Sequence, residues 1–419
     1  MRSAGLLVAL LAGGLLPAQA EPISAAQLNT AAGVPLFPAA GTLWDEEAEA
    51  VAERLGLPVE SRTPGDASYR LYPPENARLF GCRPHSVALS ARDGQPVALN
   101  IIFANKGDSV GQFIRTAPGE RSPPVAKILR DYRKAIAADD EALDAVLGAL
   151  LGLATAEKTG AGGQLQERSR RRDWNGHALQ LVSVRNEYVA LRIVPPDEVG
   201  DSPRAERVTD QELRTRLAER VERRPNGDVV IRDIPMVDQG PKGFCVPATM
   251  ERMLRHLGIP SDMYLLSMAA NTGPGGGTRV GDVVAAVRQT AQRHGRRVVP
   301  VSGRPAGSTV AAWIESGIPV LWAIDTSAAV DELINQRTRE RVKVDDWAQW
   351  KESLRGARRA ARQLARGADE GHVCLITGFN AETGEIALSD SWGPDYEERW
   401  ITEEEAAAIS QGSMAVVAW

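Results

Sequence analysis

The chain has 419 residues, 43% hydrophobic and 25% charged, with 39 Gly and 26 Pro. These figures are near those of ordinary soluble globular proteins and exclude a collagen, a coiled coil or wholesale disorder. At roughly 150 residues per domain the length calls for two to three domains. Lys and Arg number 49 against 54 Asp and Glu, a net charge of −5, so no global basic field exists to hold nucleic acid, and none is expected as a partner.

Residues 1–20 read as a signal peptide. Arg2 precedes the apolar run Ala4 to Leu16, and Pro17-Ala18-Gln19-Ala20 offers a small-x-small cleavage site. A membrane anchor is the rival reading, but about 13 apolar residues fall short of the ~20 that cross a bilayer as a helix. The expectation is a secreted or periplasmic protein cleaved near Ala20, with no stable membrane insertion. Three cysteines, Cys82, Cys245 and Cys374, leave at least one thiol without an intramolecular partner in that oxidising setting, so disulfides do not hold the fold.

Residues 21 to about 40, rich in Pro, Ala and Gly, read as extended. Residues 21–200 as a whole read as an N-terminal mixed α+β domain of unknown role. Within it the spacing of Ala48, Val51, Ala52 and Leu55 predicts a helix over Asp45 to Leu55. Ser86 to Ala91, the turn Asp93-Gly94 and Val97 to Phe103 predict a hairpin. Two helices follow, Val125 to Ala137 and Glu141 to Leu151, then a Gly-rich break at Gly160 to Gly163 and a second hairpin, Ala178 to Val184 with Tyr188 to Val194. No catalytic constellation stands out here. His85 and His177 lie beside turns and read as solvated or turn-stabilising. The Arg168 to Arg172 run reads as a solvated stretch. Residues 201–228 form a polar connector, helix-like from Asp210 to Arg223.

The chemistry begins in residues 229–419. A strand, Val229 to Ile234, leads into a Gly- and Pro-rich loop through Gln239-Gly240 that delivers Cys245 to the start of a helix. Pro247 suits its first turn, Met250, Met253, Leu254 and Leu257 form its apolar stripe, and Gly258 stands where a C-terminal cap belongs. The reactive species of a cysteine is the thiolate, and a free thiol with pKa near 8.5 is only a few per cent ionised at pH 7. A helix terminus contributes at most about 2 kcal/mol, roughly 1.5 pKa units. An imidazolium from elsewhere is therefore required.

Five histidines exist. His256 lies in the Cys245 helix and His294 ends another helix, Val280 to His294, so neither is well placed. His372 begins the strand-like run Val373 to Phe379, which turns at Asn380 to Gly384 and returns through Glu385 to Leu388 into Ser389-Asp390-Ser391-Trp392-Gly393. Antiparallel pairing across that turn brings His372 beside Asp390, and the carboxylate would orient and charge the imidazole as the third member of a triad.

Gln239-Gly240 with a cysteine six residues after the glutamine, Gly-His-Val before an apolar strand, and Asp-Ser-Trp-Gly at Asp390 to Gly393 resemble the papain-like cysteine peptidases, in particular the bacteriocin-leader-processing type (peptidase family 39) and its relatives. The resemblance covers roughly Val229 to Trp419 and implies an α+β fold with a papain-like C-terminal cysteine peptidase domain, its nucleophile helix packed on an antiparallel sheet; a separate mixed α/β accessory domain before it is read from that block's own helix and hairpin signals. It implies catalytic roles for Cys245 (nucleophile), His372 (general base and acid), Asp390 (orienting group) and Gln239 (oxyanion-hole side chain), with the Cys245 backbone N–H as second donor. Papain proper has Cys-Gly-Ser-Cys-Trp and an asparagine, whereas Cys245 is followed by Val-Pro-Ala-Thr and Asp390 stands third. The leader processors are commonly joined to transporters and none is encoded here, so a double-glycine substrate does not carry over. A peptide or protein is the expected substrate.

Other readings stand beside this one. Cys245, His372, Cys374 and Asp390 could ligate zinc, though no Cys-x-x-Cys or His-x-x-x-His pair supports it, and no metal or organic cofactor is implied. The domain could be a catalytically silent binding module. Cys374 reads as a core residue. Between a buried strand, Ile318 to Ile324, and His372 lies a charged insertion whose stretch Lys351 to Arg366 carries six basic residues and one acidic residue. It reads as a solvated amphipathic helix that shapes the cleft, with a membrane or acidic partner as the alternative. Residues 21–200 are either a removable pro-region or a lasting domain, and their size and internal helix and hairpin signals favour the latter.

Overall fold

The structure, a computed structural model, describes residues 23–114, 124–159, 167–198, 208–273, 277–364 and 370–419. The signal-peptide reading and the Gly-rich break lie outside them. Two antiparallel eight-stranded sheets organise the chain.

The first sheet belongs to the N-terminal half and comprises β1 (Val59–Thr63), β2 (Asp66–Leu71), β3 (Ser86–Arg92), β4 (Gln95–Asn105), β5 (Thr155–Thr159), β6 (Glu167–Trp174), β7 (His177–Val184) and β8 (Tyr188–Val194). Their spatial order is β1-β2-β3-β4-β8-β7-β6-β5. Both expected hairpins are present. The helices are α1 (Ala25–Ala32), α2 (Ala48–Leu55), α3 (Lys106–Ile114) and α4 (Val125–Leu151).

Three expectations are corrected. Residues 21–40 are not wholly extended, because Ser24 and Gln27 form a capping box that starts α1. The two expected helices are one, since the buried stripe Ile128, Tyr132, Ile136, Leu143 and Leu147 runs through the polar segment between them. The arginine run is not solvated. It forms β6, in which Arg170 and Arg172 are buried, Arg170 pairing with Asp140 and Asp144 of α4 and Arg172 with Asp144.

The second sheet is built from β9 (Val221–Arg223), β10 (Asp228–Ile231), β11 (Arg297–Pro300), β12 (Val320–Thr326), β13 (Glu370–Asn380), β14 (Glu385–Ser389), β15 (Arg399–Thr402) and β16 (Ser410–Ala418). The order β11-β16-β12-β13-β10-β9 is extended by β14, which pairs with both β13 and β15. Its helices are α5 (Asp210–Glu219), α6 (Cys245–His256), α7 (Met263–Ala269), α8 (Val280–Arg293), α9 (Gly307–Glu315), α10 (Ala328–Arg341), α11 (Trp347–Leu364) and α12 (Glu403–Ile409). The α6 stripe behaves as expected: Met250, Met253, Leu254 and Leu257 are all buried, in the core that also holds Trp322 and the β12–β13 strands. Among the described residues no helix is long and apolar enough to cross a membrane.

Each half has its own hydrophobic core, and the two meet in a smaller shared cluster. Ile102, Val182, Val184, Tyr188 and Ala190 of the first sheet form one hydrophobic cluster with Val237, Phe244, Ala248, Met263 and Tyr264. The segment from β10 to α6 lies between the sheets, so the residues leading to Cys245 belong to that joint core.

The charged insertion is pinned at Arg341, the last residue of α10. Its guanidinium makes a bidentate pair with Asp228 (2.8 and 2.6 Å) and reaches Glu385 at 3.2 Å. The cation lies over the Trp400 ring at 3.7 Å and the Trp347 ring at 4.8 Å. Trp350 donates its indole N–H to Glu385 at 3.0 Å. Fully buried carboxylates require such counter-charges.

Candidate active site

Cys245 opens α6, where the first N–H groups of a helix have no intrahelical partner and the dipole favours negative charge. Among the three free cysteines it alone is partly exposed, while Cys82 and Cys374 are buried. The helix is fixed from beneath. Thr249 donates to the Val373 carbonyl at 3.1 Å, and fully buried Arg252 donates to the carbonyls of Pro235 (3.1 Å) and Ser389 (3.3 Å) and to Ser389 Oγ at 2.5 Å. These bonds lock α6 to the strand bearing His372 and to the turn bearing Asp390.

His372 lies on β13, and β14 returns antiparallel as far as Leu375 opposite Ser389. Beyond that rung His372 and Asp390 meet on a diagonal, Nε2 to Oδ1, at 2.8 Å. Both residues are buried. Nε2 is thereby occupied, and Cys245 is close enough to the same imidazole to act on its protonation. Burial alone would lower the imidazole pKa. The hydrogen bond to Asp390, then that to Cys245 and the two charges, outweigh it and raise the pKa to about 9. The ring is therefore an imidazolium at neutral pH. The Trp392 ring stacks over it at 4.6 Å, and Tyr396 packs edge-on against Trp392.

Gln239 is buried on the same loop as Cys245. Its backbone N–H donates to the Ser391 carbonyl at 2.8 Å and its Nε2 to the Lys242 carbonyl at 3.0 Å. The second Nε2 hydrogen is thus oriented by the first. The structure brings Gln239 beside the Asp390-Ser391 turn, Cys245 to the helix start, and His372 between Cys245 and Asp390.

Two contributors escaped sequence reasoning. Arg399 on β15 donates from Nη1 to Asp390 Oδ2 at 2.5 Å, so each oxygen of the carboxylate serves one cation. Burial would raise the Asp390 pKa, but His372 and then Arg399 hold it below the usual carboxylate range. Arg399 is itself held by α10, donating to Asn335 Oδ1 at 3.1 Å and to the Asp331 carbonyl at 3.1 Å. Lys242 is the second. Its ammonium faces Asp108 of α3 at 3.2 Å. Neither residue sits in a local pattern that marks it, because the partners are remote in sequence.

The four proposed zinc ligands do not form a ligand set. Asp390 has spent both oxygens, one of them on a guanidinium, and Cys374 is fully buried with its thiol directed at the Trp322 carbonyl. Among the described residues no group of three or more His, Cys, Asp and Glu could hold a metal ion. Three of the four remaining histidines are held by hydrogen bonds within the fold. His177 is not solvated: it is fully buried, accepts the Leu43 N–H at 3.0 Å and stacks on Trp174. His85 bonds Ser109, and His256 faces the Gly317 carbonyl; burial pushes both pKa values down to about 4.

The sequence pattern of the Peptidase_C39 like family matches residues 231–411, under half of the chain. No curated protein matches. Among solved structures, the peptidase domain of Streptococcus ComA, described as a bifunctional ABC transporter involved in a quorum-sensing pathway, is similar at 13% identity. That match covers 44% of this chain and 96% of that chain, with a TM-score of 0.28. Residues 231–411, which hold α6 and the β13–β14 pair, are thus similar to that family.

Proposed function

We propose that the protein is an exported, papain-like cysteine peptidase that hydrolyses peptide bonds, with Cys245, His372 and Asp390 as its triad and Gln239 in its oxyanion hole. The observation that carries this reading is the buried imidazole bonded to Asp390 through Nε2 at 2.8 Å, with Cys245 acting beside Asp390 to raise its pKa. The family match over residues 231–411 supports cysteine peptidase activity independently of that geometry. Export rests on the signal-like residues 1–20.

In the proposed reaction the Cys245 thiolate attacks the carbonyl carbon of a peptide bond. The oxyanion that forms accepts hydrogen bonds from the free Nε2 hydrogen of Gln239 and the Cys245 backbone N–H. Removing one such donor costs about 10²–10³ in rate. The imidazolium, through Nδ1, protonates the leaving amine as the C–N bond breaks. His372 then accepts a proton from water as the water attacks the thioester, and the thiolate departs. Asp390 keeps the imidazole charged and aligned without itself being protonated.

Treatment with an iodoacetamide- or epoxide-type probe and mapping of the modified residue tests the reading. Cys245 is expected to be modified, with loss of hydrolysis of a protein substrate such as casein. Preferential modification of Cys82 or Cys374 would contradict it.

A further inference from the structure

The N-terminal half contacts the C-terminal half at one place of chemical consequence, the loop from Ile231 to Cys245. Ser61 Oγ accepts the Met236 N–H at 2.9 Å, and Glu60 Oε1 accepts the Asp238 N–H at 2.9 Å. The Tyr72 hydroxyl donates to the Asp238 carbonyl at 2.5 Å. Two residues on, Gly240 adopts φ +67° directly against the Tyr72 ring, where a Cβ would lie 2.5 Å from the nearest ring atom. Lys242 then sends its side chain out of the C-terminal half to Asp108, both groups almost fully buried, with the Tyr72 ring 4.3 Å from the ammonium. Phe244 closes the series by packing against Gly107, where any Cβ would overlap its ring.

Lys242 has two ends with different duties. Its side chain is held by the N-terminal half, and its carbonyl is what orients Gln239 Nε2. Moving the ammonium moves the carbonyl three residues before Cys245. An inhibitory segment would cover the nucleophile, yet Cys245 remains partly exposed with the N-terminal half docked. The contacts run along the loop rather than over the thiol.

We propose, building on the peptidase reading above, that the N-terminal sheet is a permanent part of the active site, and that Tyr72 and Asp108 are positioning residues that hold Lys242 and the 238–244 loop so that Gln239 presents its free N–H to the oxyanion. The His372–Cys245 pair is anchored separately, through Asp390, Arg399 and Arg252 within the C-terminal half. The two parts of the site therefore separate experimentally: alkylation of a thiolate needs the ion pair but no oxyanion hole, whereas amide hydrolysis needs both.

The test uses the full chain carrying Tyr72→Phe, which removes one hydroxyl and keeps the ring, and Asp108→Asn, which keeps the shape and removes the charge, with Gln239→Ala as the benchmark. Each is assayed for kcat and KM on a quenched fluorescent peptide shown to be cleaved by the parent, and for the rate of Cys245 alkylation by iodoacetamide. For both positioning variants the expected result is kcat lowered about 10- to 100-fold, in the direction of the Gln239→Ala loss, with KM and the alkylation rate within about twofold of the parent. Intact mass of the probe-labelled, active protein is expected to retain residues 23–198. Turnover unchanged in both variants, turnover and alkylation falling together, or an active labelled species lacking residues 23–198 overturns the proposal. A parent protein in which Cys245 is not the alkylated residue instead overturns the peptidase reading itself.

Discussion

Asp390 is a carboxylate divided between two cations, His372 on one oxygen and Arg399 on the other. The division has a measurable sign. His372 titrates near 9 in the folded protein against about 6.5 for a free histidine, so its contribution to stability is full below about pH 6.5 and is lost as pH rises through about 9. The same titration limits catalysis, because only the imidazolium protonates the leaving amine. The kcat/KM of the parent is expected to fall about tenfold per pH unit above 9, while iodoacetamide alkylation of Cys245, which needs no proton donor, does not fall. A shared basic limb in the two profiles would refute the assignment of His372 as the acid.

Arg399 governs the position of that limb. In Arg399→Met the Asp390 carboxylate loses one of its two counter-charges, so its pKa rises and, still ionised near pH 9, it holds the His372 proton more strongly. The basic limb is expected to move to higher pH, and a pH-rate series on parent and variant measures the displacement. Stability also drops, by about 3–5 kcal/mol for an uncompensated buried charge, which urea unfolding at pH 7 reads directly. No sequence pattern announces Arg399. It occupies an ordinary strand position, and its role arises only because β14 lies beside β15.

Among the elements, α6 was the most legible, because a buried helix on a sheet must show its apolar positions at three- and four-residue spacing, and Met250 to Leu257 do. The hairpins were legible through Asp93-Gly94 and the alternating runs around it. What was hidden depended on distant partners. The β6 arginines read as a solvated run because Asp140 and Asp144 on α4 neutralise them from roughly thirty residues away. The continuous α4 read as two helices because Asp139, Asp140 and Glu141 resemble a break until Arg170 is placed opposite them.

The insertion α10–α11 shows how one side chain fixes a whole element. Arg341→Met is expected to leave Asp228 and Glu385 buried without their guanidinium and to destabilise the protein by about 3–5 kcal/mol, measured as a shifted urea midpoint. Burial would raise the Asp228 pKa, and Arg341 outweighs it to hold the carboxyl low. This contribution is present above the unfolded carboxylate pKa of about 3.9 and is lost as pH falls through the lower folded value. The gap between parent and variant should therefore narrow below about pH 4. A gap independent of pH would mean that packing against Trp400, not charge, is what Arg341 supplies.

At the scale of the molecule, the candidate site was more readable than the architecture around it. Gln239, Cys245, His372 and Asp390 stand in local contexts that chemistry dictates, and of these His372 and Asp390 meet in a direct hydrogen bond. The cluster of Ile102, Tyr188, Phe244 and Tyr264 was not legible, because each half supplies apolar residues that its own pattern assigns to its own core. Gly240→Ala tests that junction. It forces a side chain into a left-handed backbone against the Tyr72 ring, at a cost of order 1–3 kcal/mol, and should lower thermal stability and turnover together.

Lys242 offers a further use of the same junction. Burial pushes its pKa down to about 8, so at pH 7 about a tenth of the amine is uncharged and nucleophilic, yet it is sealed among aromatic rings. An acylating reagent of the N-hydroxysuccinimide type can reach it only during moments when the halves part. The time course of its acylation, followed by peptide mapping against the exposed lysines, becomes a clock for the breathing of the molecule about its central seam.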